Sequence, residues 1–468
     1  MKTKSLIIFT TFFLTVGFLS YEANAQYTKL LDFAGATNGS NPWGSLISDG
    51  TFLYGMTDAG GTNNGGTIFK IMTDGTGYVK LMDFTGTANG SNPRSSLISD
   101  GTFLYGMTYW GGTNNMGTIF KIMPDGTGYV KLMDFAGNAN GSYPYGSLVS
   151  DGTFLYGMTY DGGINGMGVL FKIMPDGTGY VKLMDFAGVS NGSAPQGSLI
   201  FDGTFLYGMT YAGGTNYMGV IFKIMPDGTG YVKLMDFAGT ANGSYPSGSL
   251  ISDGTFLYGM TSAGGTNNKG VLFKIMPIGT GYVKLMDFGG VANGNSPQGS
   301  LISDGTFLYG MTFEGGANNA GTIFKVLPDG TGYVKLMDFT GVANGSNTRG
   351  SLISDGTFLY GMTNSGGTNS VGTIFKHGSY VGIAENNLET DFTIYPNPFS
   401  SMTNLQTDKY LINATLTVYN LFGQQVKQIK NISGQTVTLF RDNLSSGLYF
   451  IRLTQDNNTF TTKLIVTD

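Results

Sequence analysis

The one histidine of the chain, His377, stands beyond the last regular copy of an internal repeat, so neither a histidine metal cluster nor a serine, histidine and aspartate triad has its parts. A lone histidine in such a joint reads as polar surface. The aspartates fall at fixed repeat positions. Those opening the string DGTFLYGMT, at Asp49, Asp100, Asp151, Asp202, Asp253, Asp304 and Asp355, have a turn to form, and those of the MDF segments, such as Asp134, recur with a lysine. General acid and base catalysis needs two carboxylates in different environments, which equivalent copies do not supply. The chain also lacks EF-hand or RTX spacing for calcium, a GxxxxGK[ST] loop for phosphate, and any cysteine for a disulfide or thiolate site. No catalytic residue, metal or cofactor is expected from these residues.

The residues that differ between copies carry more information, because packing explains what all copies share. One variable position follows an asparagine-rich loop and holds Trp43, Arg94, Tyr145, Gln196, Ser247, Gln298 and Arg349. The other is a pair: Asp58-Ala59, Tyr109-Trp110, Tyr160-Asp161, Tyr211-Ala212, Ser262-Ala263, Phe313-Glu314 and Asn364-Ser365. The only two tryptophans of the chain, Trp43 and Trp110, are among them. Exposed aromatics on loops held by a rigid scaffold form a binding surface. The candidate ligand-binding set is Trp43, Arg94, Tyr109, Trp110, Tyr145, Tyr160, Asp161, Tyr211, Phe313, Glu314 and Arg349.

The elements that must position this set follow from the repeat. A 51-residue unit recurs seven times, and each copy holds four apolar runs of strand length, such as SSLIS, TFLYGMT, GTIFKIM and YVKLMDF. Asp-Gly and Pro-Asp-Gly-Thr-Gly join runs as antiparallel hairpins. Four antiparallel strands repeated seven times predict an all-β, seven-bladed β-propeller with four-stranded blades. The FLYGM run is apolar throughout, as expected when both faces of a blade are covered. The phase adds a closure: the repeats begin with a fourth strand, at 27–33, and end with a third, at 372–376. The N-terminal strand is therefore expected to complete the last blade, which removes an exposed edge. In a blade so ordered, both variable positions lie at one end of the disc and the Asp-Gly turns at the other.

The flanks differ from the ring. Lys2 and Lys4, an apolar run over 6–18 and Ala23-Asn24-Ala25 predict a signal peptide over 1–25, too short in its apolar part to span a bilayer. The propeller is expected over 26–383 and a polar acidic linker over 384–391. From 392 to 468, short alternating runs suggest a small C-terminal β-sandwich. The net charge of −5, without any basic run, argues against nucleic acid. A monomer with no membrane-spanning segment after cleavage is expected.

Two resemblances attach to these motifs. The period and the glycine pair after the second strand look like kelch, and LYGMT..GG....GTIFK over 27–376 more closely resembles the GloVer tandem repeat of secreted bacterial proteins, a family tied to no known activity. The last 77 residues resemble the type A C-terminal sorting domain of the type IX secretion system. The matching residues are Tyr395, Pro396, Asn397, Pro398 and Phe399 of YPNPF, Gly423 of YNLFGQ, and Gly447, Leu448 and Tyr449 of SGLYFIRL. This resemblance implies a chain of the Bacteroidetes that reaches the periplasm, engages the type IX machinery and is released or attached at the cell surface.

Three functions fit. The first is a non-catalytic binding or adhesion module for a glycan or protein. The second is a polysaccharide-active surface enzyme using Asp58, Asp161 or Glu314, and the third is a spacer or surface-layer component.

Overall fold

The computed structural model describes residues 27–378, 392–420, 425–455 and 458–467, all in strands and turns without a helix. The expected signal peptide (1–25), the linker (384–391) and Gly423 lie outside the described residues. Following β1 (Tyr27–Asp32), the first blade consists of β2 (Ile47–Ser48), β3 (Phe52–Thr57), β4 (Thr67–Met72) and β5 (Val79–Asp83), paired in sequence order. Five further blades repeat it. The seventh sheet joins Ile353–Ser354, Phe358–Thr363 and Thr373–Gly378 with β1 as its outer strand.

Closure by the N-terminus is thus a property of the fold. Tyr27 faces His377 and Asp32 faces Thr373 in antiparallel register. β1 also repeats the contacts of a covalently continuous fourth strand. The Tyr27 hydroxyl donates to Asn344 O at 2.9 Å, as Tyr78 does to Asn38 O at 2.8 Å, and Lys29 pairs with Asp32 as Lys80 pairs with Asp83.

The core lies between blades. β3 is buried on both faces because a blade packs on each side, and one apolar cluster joins Phe33, Leu46 and Phe69 to Tyr360, Met362 and Ile374 of the last blade. A phenylalanine after each fourth strand meets one in the third strand of the next blade edge to face, from Phe33 with Phe69 at 5.5 Å round to Phe339 with Phe375 at 5.4 Å. Such geometry adds about 0.5–1.5 kcal/mol per pair beyond area burial. Gly106 makes room for it: a Cβ there would lie 2.6 Å from Phe120 Cζ.

The innermost strands are shorter than the SSLIS run suggests, two residues each, and the serines before them bond to the neighbouring blade instead. The last ring strand is longer than expected and runs to Gly378. His377 is therefore no joint residue. It is 1% exposed and occupies the site of Ile71 or Ile122 in other blades.

Residues 392–467 form one five-stranded antiparallel sheet in which Met402–Tyr419 pairs with Phe392–Tyr395 along its first part, Gly447–Gln455 along its last, and Gln425–Phe440 along both. Its layers come from one curled sheet around a single core that includes Leu405, Leu416, Leu439 and Leu464.

Candidate functional site

The loop entering each blade passes the ring axis at backbone contact. A Cβ on Gly44 would lie 2.3 Å from Ser95 O of the next blade, and one on Gly350 2.3 Å from Gly44 O. One residue on, the Ser45 N–H donates to Ser96 Oγ at 2.7 Å, and the pattern passes through Ser147, Ser198, Ser249, Ser300 and Ser351 back to Ser45. This closed collar of seven serines was not anticipated, since a serine common to every copy looks like turn chemistry. It places the first variable position, two residues earlier, in a ring around the axial mouth.

The mouth is not sevenfold. The Arg349 guanidinium carbon lies 3.8 Å from the Trp43 ring centroid and 4.4 Å from that of Phe313. That of Arg94 lies 4.5 Å from Trp43, 3.9 Å from Tyr109 and 5.5 Å from Tyr145. Phe313, Arg349, Trp43, Arg94 and Tyr109 thus form a ladder of alternating rings and cations contributed by four blades, each contact worth about 0.5–2 kcal/mol. Tyr145 closes it edge-on against Trp43 at 5.7 Å and Tyr109 at 5.9 Å. The other arc of the ring holds Gln196, Ser247 and Gln298.

Six candidate residues therefore meet: Trp43, Arg94, Tyr109, Tyr145, Phe313 and Arg349. Trp110 and Tyr160 attach to this group, through Tyr109 at 5.3 Å and Tyr145 at 6.2 Å. Tyr211 instead packs on Tyr245 at 5.2 Å. Asp161 and Glu314 pair their backbones with Ser142 and Asn295, and Glu314 Oε2 accepts from Asn295 Nδ2 at 3.1 Å. All eleven are partly buried, which corrects the expectation of freely exposed rings: the aromatic faces are occupied by guanidinium groups and by one another.

Two residues outside the set belong to the site. Asp58 Oδ1 accepts from Arg94 Nε at 3.1 Å. Tyr143 stacks edge-on against Trp110 at 4.6 Å from a backbone φ of 58°, a conformation uncommon for a bulky residue. Comparing the copies one residue before each loop proline or its equivalent, Asn41, Asn92, Tyr143, Ala194, Tyr245, Ser296 and Asn347, would have flagged it.

Within the ladder two guanidinium groups meet one carboxylate, that of Asp58, while Asp161 stands near Tyr109. Burial raises the Asp58 carboxyl above its ordinary value, although Arg94 pulls it down. Burial likewise lowers Arg349, with Tyr145 opposing and the like charge of Arg94 adding to the effect. Burial pushes the Tyr145 hydroxyl up to about 12. Arg349 Nη1 donates to Gln298 Oε1 at 2.6 Å, and its enclosed Nε has no partner among the described residues.

Repeated acids are occupied elsewhere. Asp100 Oδ1 accepts from the N–H groups of Thr102 and Phe103 at 2.8 and 2.7 Å, and Oδ2 from the Tyr105 hydroxyl at 2.8 Å. Asp134 is held by Lys131 at 2.9 Å and by Thr113.

The ring, its asymmetric mouth and a separate terminal sheet define a repeat propeller equipped for export. The chain belongs to the Gloeobacter/Verrucomicrobia repeat family, whose profile matches residues 17–154, 149–307, 252–387 and 294–420. The secretion system C-terminal sorting domain matches residues 393–467. The protein is therefore a type IX cargo, secreted or held at the cell surface, that engages the type IX machinery. No curated protein matches the sequence.

Among solved structures the chain is similar to the extracellular domain of a one component system from B. thetaiotaomicron, at 10% identity and a TM-score of 0.49, covering 95% of this chain and 58% of that one. It is also similar to TolB from Acinetobacter baumannii, at 14% and 0.37, covering 72% and 65%. A third likeness is to a PL25 ulvan lyase bound to -[GlcA(1-4)Rha3S]-, at 10% and 0.41, covering 73% and 94%. The chain spans less than two thirds of the first two.

Proposed function

We propose that this cargo is a non-catalytic binding module whose ligand, a glycan or a protein, docks on the axial mouth of a monomeric ring. Residues 1–25 act as the signal peptide of a Bacteroidetes chain. Residues 26–383 present the site, 384–391 link it, and 392–468 direct export. The observation that carries the reading is the ladder from Phe313 to Tyr109, in which the copies' differences converge on one arc of the mouth. Drift at surface positions would scatter substitutions round the ring instead. A spacer gains nothing from this asymmetry. An enzyme reading is supported by the raised Asp58 and Asp161 carboxyls, both shifted by burial. Asp58, however, is engaged by Arg94 and lacks a second acid held by the same partners.

A glycan-array and polysaccharide-depletion screen on the full chain tests the reading. Binding without product, weakened when both Arg94 and Arg349 become methionine, is expected. Product release favours the enzyme, and the absence of any ligand favours the spacer.

A further inference from the structure

The chemistry of the mouth is set by what its arginines leave open. Aromatic rings flank both guanidinium groups, so what they leave to a ligand is terminal N–H donors at the guanidinium edges. Arg94 spends Nε on Asp58, and its terminal nitrogens find no acceptor among the described residues. Arg349 spends one terminal nitrogen on Gln298, while its Nε is enclosed without an acceptor. Each guanidinium has five donors in a fixed fork. Two such forks face a single carboxylate, that of Asp58, in a chain whose net charge is −5.

Donor excess and charge excess thus coincide within 4.5 Å of the Trp43 ring. A planar carboxylate or a sulfate ester supplies what is missing: paired acceptor oxygens and a negative charge that relieves the repulsion between Arg94 and Arg349. The opposite arc, Gln196, Ser247 and Gln298, offers amides and a hydroxyl suited to sugar hydroxyl groups. The aromatic rings of the mouth are taken up by guanidinium groups and by one another, so the open chemistry it offers is polar.

From this arrangement we infer that the ligand of the axial mouth is an anionic saccharide, its carboxylate or sulfate held by the edges of Arg349 and Arg94; the inference rests on the binding reading above. The two arginines act as the specificity determinants, and the rings of Trp43, Phe313, Tyr109 and Tyr145 act as the rigid frame that orients them. Preorganised forks lose little freedom on binding.

Affinity electrophoresis of the full chain through gels containing polygalacturonate, dextran sulfate, neutral dextran or polyglutamate decides the matter. Retention by polygalacturonate, dextran sulfate or both, falling as NaCl is raised, is expected, with little retention by dextran or polyglutamate. Retention by polygalacturonate alone identifies a uronate and by dextran sulfate alone a sulfate ester. Arg349→Met and Arg94→Met should each weaken retention roughly tenfold or more, and Arg349→Lys, which keeps charge but loses the fork, should weaken it less. Equal retention by neutral dextran, lost in the same variants, overturns the anionic assignment and leaves the binding reading standing. Equal retention by polyglutamate removes the saccharide. Retention by none of the four polymers overturns the anionic-saccharide assignment, whereas the binding reading is decided separately by the ligand screen above. If Arg349→Met melts well below the wild type, the salt titration of the wild type and the lysine variant carry the test.

Discussion

The two ends of the disc are built from the same strands and differ in what their loops do. At the turn end the aspartate opening each DGTFLYGMT string is used the same way, as Asp49 and Asp355 cap their turns and accept the hydroxyls of Tyr54 and Tyr360. Lysines bind that end together between blades, with Lys70 Nζ donating to Pro124 O at 3.1 Å. At the axial mouth the copies diverge, and the divergent side chains pack on one another across blades. A side chain needed seven times is structural. Charged and aromatic groups that occur once converge on one another at the mouth.

The sharpest break of the comparison is to open the ring. Deleting residues 27–33 removes the outer strand of the seventh blade and Phe33, and should lower the melting temperature by roughly 10 °C or more and abolish ligand binding, because both ends depend on closure. An unchanged melt would contradict closure. Next is Tyr105, 2% exposed in the second blade. Tyr105→Ala should cost about 3–5 kcal/mol, and Tyr105→Phe about 1 kcal/mol through its lost bond to Asp100, as read from denaturant midpoints. Trp43→Ala is smaller, about 1–2 kcal/mol, because the ring supports two guanidinium groups, and it should weaken binding as well. A wild-type melt for Trp43→Ala would deny that the ladder is packed.

His377 gives the smallest effect and a pH signature. Burial holds it below its ordinary 6.5, with a hydrogen bond to the Leu336 backbone opposing, so the folded chain keeps it neutral. The unfolded state then takes up the proton first. Stability is full above about pH 6.5 and is lost as the pH falls from there toward the folded value. A second loss begins below 3.8, where Asp83 and Asp134 lie: burial raises these carboxyls, but their lysine and threonine partners outweigh it and hold them low. His377→Ile, the residue of most other blades, should raise stability by about 1 kcal/mol and erase the first step. Melts at pH 7.5 and 5.5 of both proteins check this.

Periodicity made the blades, their strand order and the closing strand legible, because each depends on spacing alone. It also brought the two variable positions to one end. It could not reveal contacts between residues in different blades: Trp43 and Tyr145 are two copies apart in sequence and touch only because the axis draws the loops together. For the same reason the expected free stacking rings proved to be the frame of the arginines. His377 was misjudged because the repeat pattern ends in its neighbourhood while the strand continues, placing a polar residue at a position apolar in every other blade.

The most direct test of the division between the two ends is ligand binding by paired variants of the full chain. Arg94→Met with Arg349→Met alters the mouth, and Ser99→Ala with Ser303→Ala alters the turn end, where the two hydroxyls accept from the N–H groups of Gly101 and Gly305 at 3.0 and 3.1 Å, each pair being assayed below its own melting transition. Binding lost in the first pair and kept in the second is the result expected here. Binding kept in the first pair, or lost in the second, would contradict the assignment of recognition to the axial mouth.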